Sequence, residues 1–224
     1  MLRKVWLVVI FWLLPLIVIS QEVPPFDKVQ IDRTDLASLQ RGAHTYMNYC
    51  AGCHSLKYVR YNTMAQDIGI VNSQGQILDA LVKQTLLFTG DKLTATIETA
   101  MPADLAANWF GKAPPDLSLV ARSRGNDWLY NYLRGFYPDP KRPWGVNNYV
   151  FPDVAMPDVL EHLQQTLSVA AYNTAMADLV NFLDYIAEPH KLERERLGVW
   201  VLIFLGIFLI FTVLLKKEYW KDVH

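Results

Sequence analysis

The stretch from Leu197 to Leu215, LGVWVLIFLGIFLIFTVLL, runs for nineteen residues without a charge. As a helix rising about 1.5 Å per residue it covers roughly 28 Å, close to the hydrocarbon thickness of a bilayer. It is apolar on every side, which suits lipid and leaves no face for water. Lys216, Lys217 and Lys221 follow directly, with Tyr219 and Trp220 as interfacial anchors, whereas the preceding ERER is balanced in charge. Positive flanks favour the cytoplasmic side. The expected topology is a large domain, residues 21–196, outside the cell membrane, one span at 197–215, and a short cytoplasmic tail, 216–224. The other end reads MLRKVWLVVIFWLLPLIVISQE: two basic residues, then an apolar run interrupted by Pro15 and ending at Ser20. That is the layout of a secretory signal, expected over residues 1–20, with an uncleaved N-terminal anchor as the alternative.

Between these ends the charges are 16 Lys plus Arg against 20 Asp plus Glu, a net charge of −4 over residues 21–196. Mild acidity argues against nucleic acid as a partner. An exported domain meets an oxidising compartment, where thiols usually pair. The chain has only two cysteines, and both fall in Cys50-Ala-Gly-Cys53-His54. A thioredoxin-like redox pair should open a helix within a βαβ pattern, and no strand pattern precedes Cys50. A structural zinc site wants four ligands, commonly two pairs, and neither a second cysteine pair nor paired histidines exist. C-x-x-C-H meets a different need. Two thiols at fixed short spacing add across the vinyl groups of a porphyrin, and the adjacent imidazole falls beneath the iron. The spacing therefore predicts one covalently bound haem c, with His54 as axial ligand.

The second axial ligand has to come from a distant segment. Met47 and Met64 lie too near the motif, and Met176 falls in a regular helical pattern typical of core. Met101 and Met156 each precede a proline in irregular chain, where the fixed φ helps to hold a loop residue. Both stand as candidates on chemistry alone. Met156 is favoured for the aromatic walls of NYVFPDVAMP and a helix start after it, and His162 is the bis-histidine alternative. With both axial positions filled the iron has no open site, which points to electron transfer. A thiol–disulfide oxidoreductase and a haem-based gas sensor are the rival classes.

The domain reads as mainly α. Thr34 caps a helix whose Leu36, Leu39, Ala43, Met47 and Cys50 share a face, so the cysteine motif ends that helix. A short helix is expected around residues 75–84, and residues 85–115 look like loop and turns. Asn126 caps DWLYNYLRG, with Trp128, Leu129, Tyr132, Leu133 and Phe136 on one side. Residues 136–160 follow with five prolines, and their aromatic content predicts packing rather than disorder. AMADLVNFLDYIAEP forms a last helix before the anchor, stopped by Pro189.

Four blocks, RGAHTYMNYCAGCHSLKYVRY, APPDLSLVARSRGNDWLYNYLRGF, NYVFPDVAMP and DLVNFLDYIAEP followed by one C-terminal span, closely resemble the cytochrome c1 family, the haem c subunit of the cytochrome bc1 complex. The resemblance implies a cytochrome c-like fold with Cys50 and Cys53 as thioether anchors, His54 as proximal ligand and Met156 as distal ligand. It also implies that Arg124 and Trp128 hold a propionate, that Pro115 lies against the ring, and that Asn108 sits at the haem edge, although the spacing near WFGK departs from the family pattern. Implied partners are cytochrome b, a Rieske iron–sulfur protein and a soluble or tethered cytochrome c. The implied place is the bacterial inner membrane, with the haem domain in the periplasm. No spare thiol exists for the extra disulfide of some members, so the loop before Met156 has to be held by packing. No strongly acidic stretch is present either, which favours apolar over electrostatic docking. The resemblance implies a non-catalytic subunit of an oxidoreductase whose quinol chemistry lies elsewhere. A tethered carrier serving a terminal oxidase is the alternative within the same chemistry.

Overall fold

A computed structural model describes residues 26–87 and 92–222; the expected signal peptide, residues 1–20, lies outside the described residues. In chain order the elements are α1 (Leu36–Tyr49), β1 (Leu56–Arg60), α2 (Tyr61–Asp67), α3 (Asp79–Thr85), β2 (Thr96–Ile97), α4 (Ala103–Phe110), α5 (Val120–Arg124) and α6 (Asn126–Arg134). They continue with β3 (Phe136–Pro138), β4 (Val146–Asn148), α7 (Glu161–Thr166), α8 (Val169–Ala187) and α9 (Lys191–Tyr219). The fold is mainly helical, with β1–β2 and β3–β4 as two small antiparallel ladders.

The core is built on the crossing of α1 and α8. Asp35 caps α1, its carboxylate accepting from the Ser38 amide at 3.0 Å. The sequence placed that cap at Thr34, but the Thr34 hydroxyl donates to Asp32 at 2.6 Å, so the cap moves one residue on. Leu39, Ala43 and Met47 are buried as their spacing predicts, while Leu36 stays exposed. On α8, capped by Ser168, Met176, Leu179, Val180 and Phe182 are almost wholly buried. The two helices meet at Gly42. A Cβ there would stand 2.2 Å from the Asp178 carbonyl oxygen and 2.6 Å from Phe182 Cβ. Only a residue without a side chain permits this approach. Next to it the Arg41 guanidinium grips Asp178 with two bonds, 2.6 and 3.0 Å, tying α1 to α8 across 137 positions. Gly42→Ala should therefore lower stability by about 2–3 kcal/mol through overpacking, despite the ~1 kcal/mol that alanine gains in helix propensity. Chemical denaturation of the full chain, followed by tryptophan fluorescence, checks this.

The middle of the chain departs from expectation in two places. The strands are two to five residues long, too short for an alternating pattern to be legible. Residues 103–110, expected as loop, form α4, which starts after Pro102, carries Asp104 in its first turn and stops at Gly111 with φ 76°. The proline-rich segment 136–160 is ordered around the β3–β4 hairpin, with Tyr137 stacked on Tyr149 at 4.2 Å.

At the far end α9 runs for 29 residues, none of them buried, and is the one helix among the described residues long and apolar enough to cross a membrane. It starts before the uncharged run, in KLERER, where Arg194 pairs with Glu188 at 2.5 Å. The anchor thus grows directly out of the segment that ends α8.

Candidate haem site

The turn after α1 carries the cysteine motif and is pinned from three sides. The amides of Cys53 and His54 both donate to the Cys50 carbonyl, at 3.0 and 2.9 Å. The Tyr46 hydroxyl, from inside α1, donates to the His54 carbonyl at 2.6 Å. Ser55 receives the Leu117 amide on its carbonyl and the Thr99 amide on its hydroxyl, so strand-side and PPDLS-side chain are both stitched to the motif. The His54 ring has a defined tautomer. Its Nδ1 lies 2.7 Å from the Pro115 carbonyl oxygen, which can only accept, so Nδ1 carries the proton and Nε2 keeps a free lone pair. Burial holds the imidazole below its ordinary pKa, against the opposing effects of Pro115 and Asp116. A neutral ring with Nδ1 engaged is the ligand form of histidine. Pro115 is itself fixed, because Asp116 accepts from the Lys57 and Ser118 amides at 3.0 and 2.8 Å.

Burial pushes the Cys50 thiol up to about 12 and raises the Cys53 thiol as well. A disulfide-exchanging cysteine needs the reverse, a lowered pKa in an electropositive setting. The pair is therefore poorly suited to redox exchange.

Cys50, Cys53 and His54 open onto a largely apolar cavity of about 290 Å³, whose further lining includes Pro115, Arg124, Trp128 and Met156. Helix α6 supplies one wall: Leu129 and Leu133 face the core, while Trp128 and Tyr132 stack at 5.0 Å with their planes 9° apart. The Arg124 guanidinium, at the end of α5, lies 5.0 Å from the Trp128 ring and 5.8 Å from that of Phe151. It is a cation held on aromatic faces at the edge of an apolar pocket.

The segment bearing Met156 is held by polar contacts as well as packing. Asn148 is fully buried; its Nδ2 donates to the Tyr132 carbonyl at 2.8 Å, and its Oδ1 accepts from the Val150 and Phe151 amides at 2.8 and 3.1 Å. Asn147 Oδ1 accepts from the Asp153 amide at 2.8 Å, steadying Asp153 at φ 62°. The Tyr132 hydroxyl donates to Met156 Sδ at 3.4 Å.

Residues far apart in the chain thus converge on one cavity: two thiols, an imidazole with a free nitrogen, a thioether and an arginine. The family model of the cytochrome C1 family matches residues 26–223. The chain belongs to the cytochrome c1 family. It is 47% identical over 225 residues to the cytochrome c1 of Allochromatium vinosum, covering 88% of this chain and 89% of the relative. It is 43% identical to a protein named ammonia monooxygenase gamma subunit from Nitrosomonas europaea, covering 92% and 91%. The mitochondrial cytochrome c1 haem protein of Saccharomyces cerevisiae is 30% identical, covering 84% of this chain and 68% of the relative.

For this cytochrome c1-family chain the implied group is haem c, and the residues fit it. The donor set offers a nitrogen and a sulfur ligand suited to low-spin iron, two thiols on the cavity wall, apolar sides and a cation for a propionate. The other candidates lie elsewhere. Met101 lines a separate, more polar cavity with Glu98 and Thr99, Met47, Met64 and Met176 are core, and His162 is exposed on α7. Asn108 is not brought to the haem cavity either. It is exposed on α4, and the residue of that helix on the cavity wall is Phe110, two positions on.

Sequence reasoning missed four contributors. Phe110 was signalled by the Pro102, Asp104 and Gly111 punctuation of α4. Tyr132 was on the expected apolar face, but its hydroxyl was not assigned a role. Asn147 and Asn148, in an NN pair after Gly145, carried a turn signal without revealing what they hold.

Proposed function

We propose that the chain binds one haem c through Cys50 and Cys53, ligates it with His54 and Met156, and relays single electrons from a Rieske iron–sulfur protein to a soluble or tethered cytochrome c within a cytochrome bc1 complex. The haem domain faces the periplasm of a bacterial inner membrane and the tail lies in the cytoplasm. The observation that carries this reading is the convergence of both thiols, the Nδ1-tied His54 and Met156 on one apolar cavity.

The bound group supplies a one-electron ferric–ferrous couple. The chain's residues set its conditions. The Pro115 carbonyl keeps the His54 tautomer and orientation. Met156 offers a soft sulfur that favours the ferrous state and so a high potential. Arg124, seated against the Trp128 and Phe151 rings, would offer its positive charge to a propionate. No side chain here acts as acid, base or nucleophile. The anchor α9 keeps the domain at the membrane surface, within reach of its donor.

Gentle solubilisation and purification through a tag on this chain tests the reading. The chain should bring down a cytochrome b and an iron–sulfur subunit. Its pigment should resist acid–acetone extraction, and the reduced Rieske protein should reduce it in rapid mixing. Recovery with a terminal oxidase and no cytochrome b would instead favour the tethered-carrier alternative. Extraction of the pigment would remove the covalent haem.

A further inference from the structure

We infer that Tyr132 is a positioning residue for the distal sulfur, its hydroxyl donating a hydrogen bond to Met156 that raises the reduction potential of the bound haem. This rests on the reading of Met156 as distal ligand.

The contact is Tyr132 Oη–H to Met156 Sδ at 3.4 Å, and the phenol has little freedom to abandon it. One ring face is stacked on Trp128 at 5.0 Å, and Phe136 meets the ring edge-on at 5.4 Å with 68° between planes. The backbone of the same residue is tied to the Met156 segment, because the buried Asn148 side chain bonds the Tyr132 carbonyl and the Val150 and Phe151 amides together. One amide thus fixes the spacing between donor and sulfur. No other side-chain hydrogen bond to Met156 Sδ is found among the described residues.

A thioether has two lone pairs. One can bind iron while the other accepts a weak hydrogen bond. The O–H dipole then points its positive end at the ligand sulfur and draws density from it. That disfavours the state with the extra positive charge, ferric, relative to ferrous. Hydrogen bonding around axial ligands is one of the levers by which a protein tunes its haem.

Tyr132→Phe removes the hydroxyl and keeps the stacked ring. In the purified complex, redox titration should show up to about a tenfold shift of the couple toward ferric at fixed ambient potential, about 59 mV downward for one electron. The weak long-wavelength absorption of the sulfur–ferric iron bond should shift with it. A ring-fluorinated tyrosine at position 132, a stronger donor of the same shape, should move the potential upward. In a Met156→Leu background the Tyr132→Phe shift should vanish. If Met156→Leu changes potential and spectrum while both Tyr132 replacements leave the potential unmoved, the role of Tyr132 falls and the ligand stands. The role also falls if the Tyr132→Phe shift persists undiminished without Met156. If Met156→Leu itself changes nothing, it is the ligand reading that fails.

Discussion

Met156→His should lower the reduction potential of the haem by on the order of a few tenths of a volt, within the ~0.8 V over which axial ligands move haem potentials. The cause is the donor atom. A thioether is soft and stabilises ferrous iron; an imidazole is the better partner for ferric iron, so exchanging one for the other pulls the couple down. The segment carrying Met156 is prepared to present a ligand. Asn148 fastens residues 150 and 151, Asn147 holds the Asp153 amide, and Arg142 bonds the Asp153 carboxylate at 2.8 Å. Asp153 stands at φ 62°, a left-handed conformation that aspartate tolerates better than most residues and that turns the chain three residues before the sulfur. The substitution leaves all of these bonds in place, replaces the sulfur proposed to ligate the iron, and removes with it the acceptor of the Tyr132 hydroxyl. Redox titration of the purified complex is the measurement, and a potential equal to the parent's would remove Met156 from the iron. Geometry leaves few replacements, since Met101 belongs to a different cavity and His162 is exposed.

The parts of this site that were legible in the sequence are those whose chemistry is local. Cys50, Cys53 and His54 stand out because C-x-x-C-H fixes the spacing of two thiols and an imidazole, and residues 197–215 because an uninterrupted apolar run is visible without any partner. Met156 was legible as one of two loop methionines before proline; the structure places it, and not Met101, on the cavity with Cys50, Cys53 and His54. What supports those residues was not legible, since it depends on pairs distant in the chain. The Pro115 carbonyl meets His54 across 61 positions, and nothing in APPD indicates which carbonyl will point inward. Asn108 and Phe110 lie on the same short helix, and which one faces the cavity is decided by where α4 begins, after Pro102. Gly42 reads as a flaw in a helical pattern until α8 is laid against it. The short strands were invisible for a simpler reason, since two to five residues hold too little of a period to read.

Asp184→Ala should be among the most destabilising single changes in the domain, at about 3–5 kcal/mol, although Asp184 is absent from the haem cavity. Its carboxylate accepts from Arg33 Nε at 2.6 Å and from Asn126 Nδ2 at 3.0 Å, and its carbonyl accepts from Arg33 Nη2 at 2.7 Å. Arg33 also bonds the Glu188 carbonyl. Four segments meet here: the chain entering α1, the start of α6, the end of α8, and the link to the anchor. The side chains of Arg33 and Asp184 are only 7% and 10% exposed, so removing the carboxylate strands a guanidinium away from water. That uncompensated charge, more than the lost attraction, sets the cost. The same physics separates two variants. Arg33→Met/Asp184→Leu removes both charges and should recover most of the loss of Asp184→Ala, because packed apolar groups do not need a partner. For a domain of this size, 3–5 kcal/mol corresponds to a midpoint lower by roughly 10 °C in thermal denaturation of the full chain. A haem consequence follows from the same bonds. Asn126 opens the helix on which Trp128 and Tyr132 stand, so loosening its hold on Asp184 loosens the wall against which Arg124 and Met156 are set. Asp184→Ala should therefore broaden the redox titration as well as lower the melting point. The double variant, which restores packing without restoring the Asn126 bond, should recover stability while the titration stays broadened.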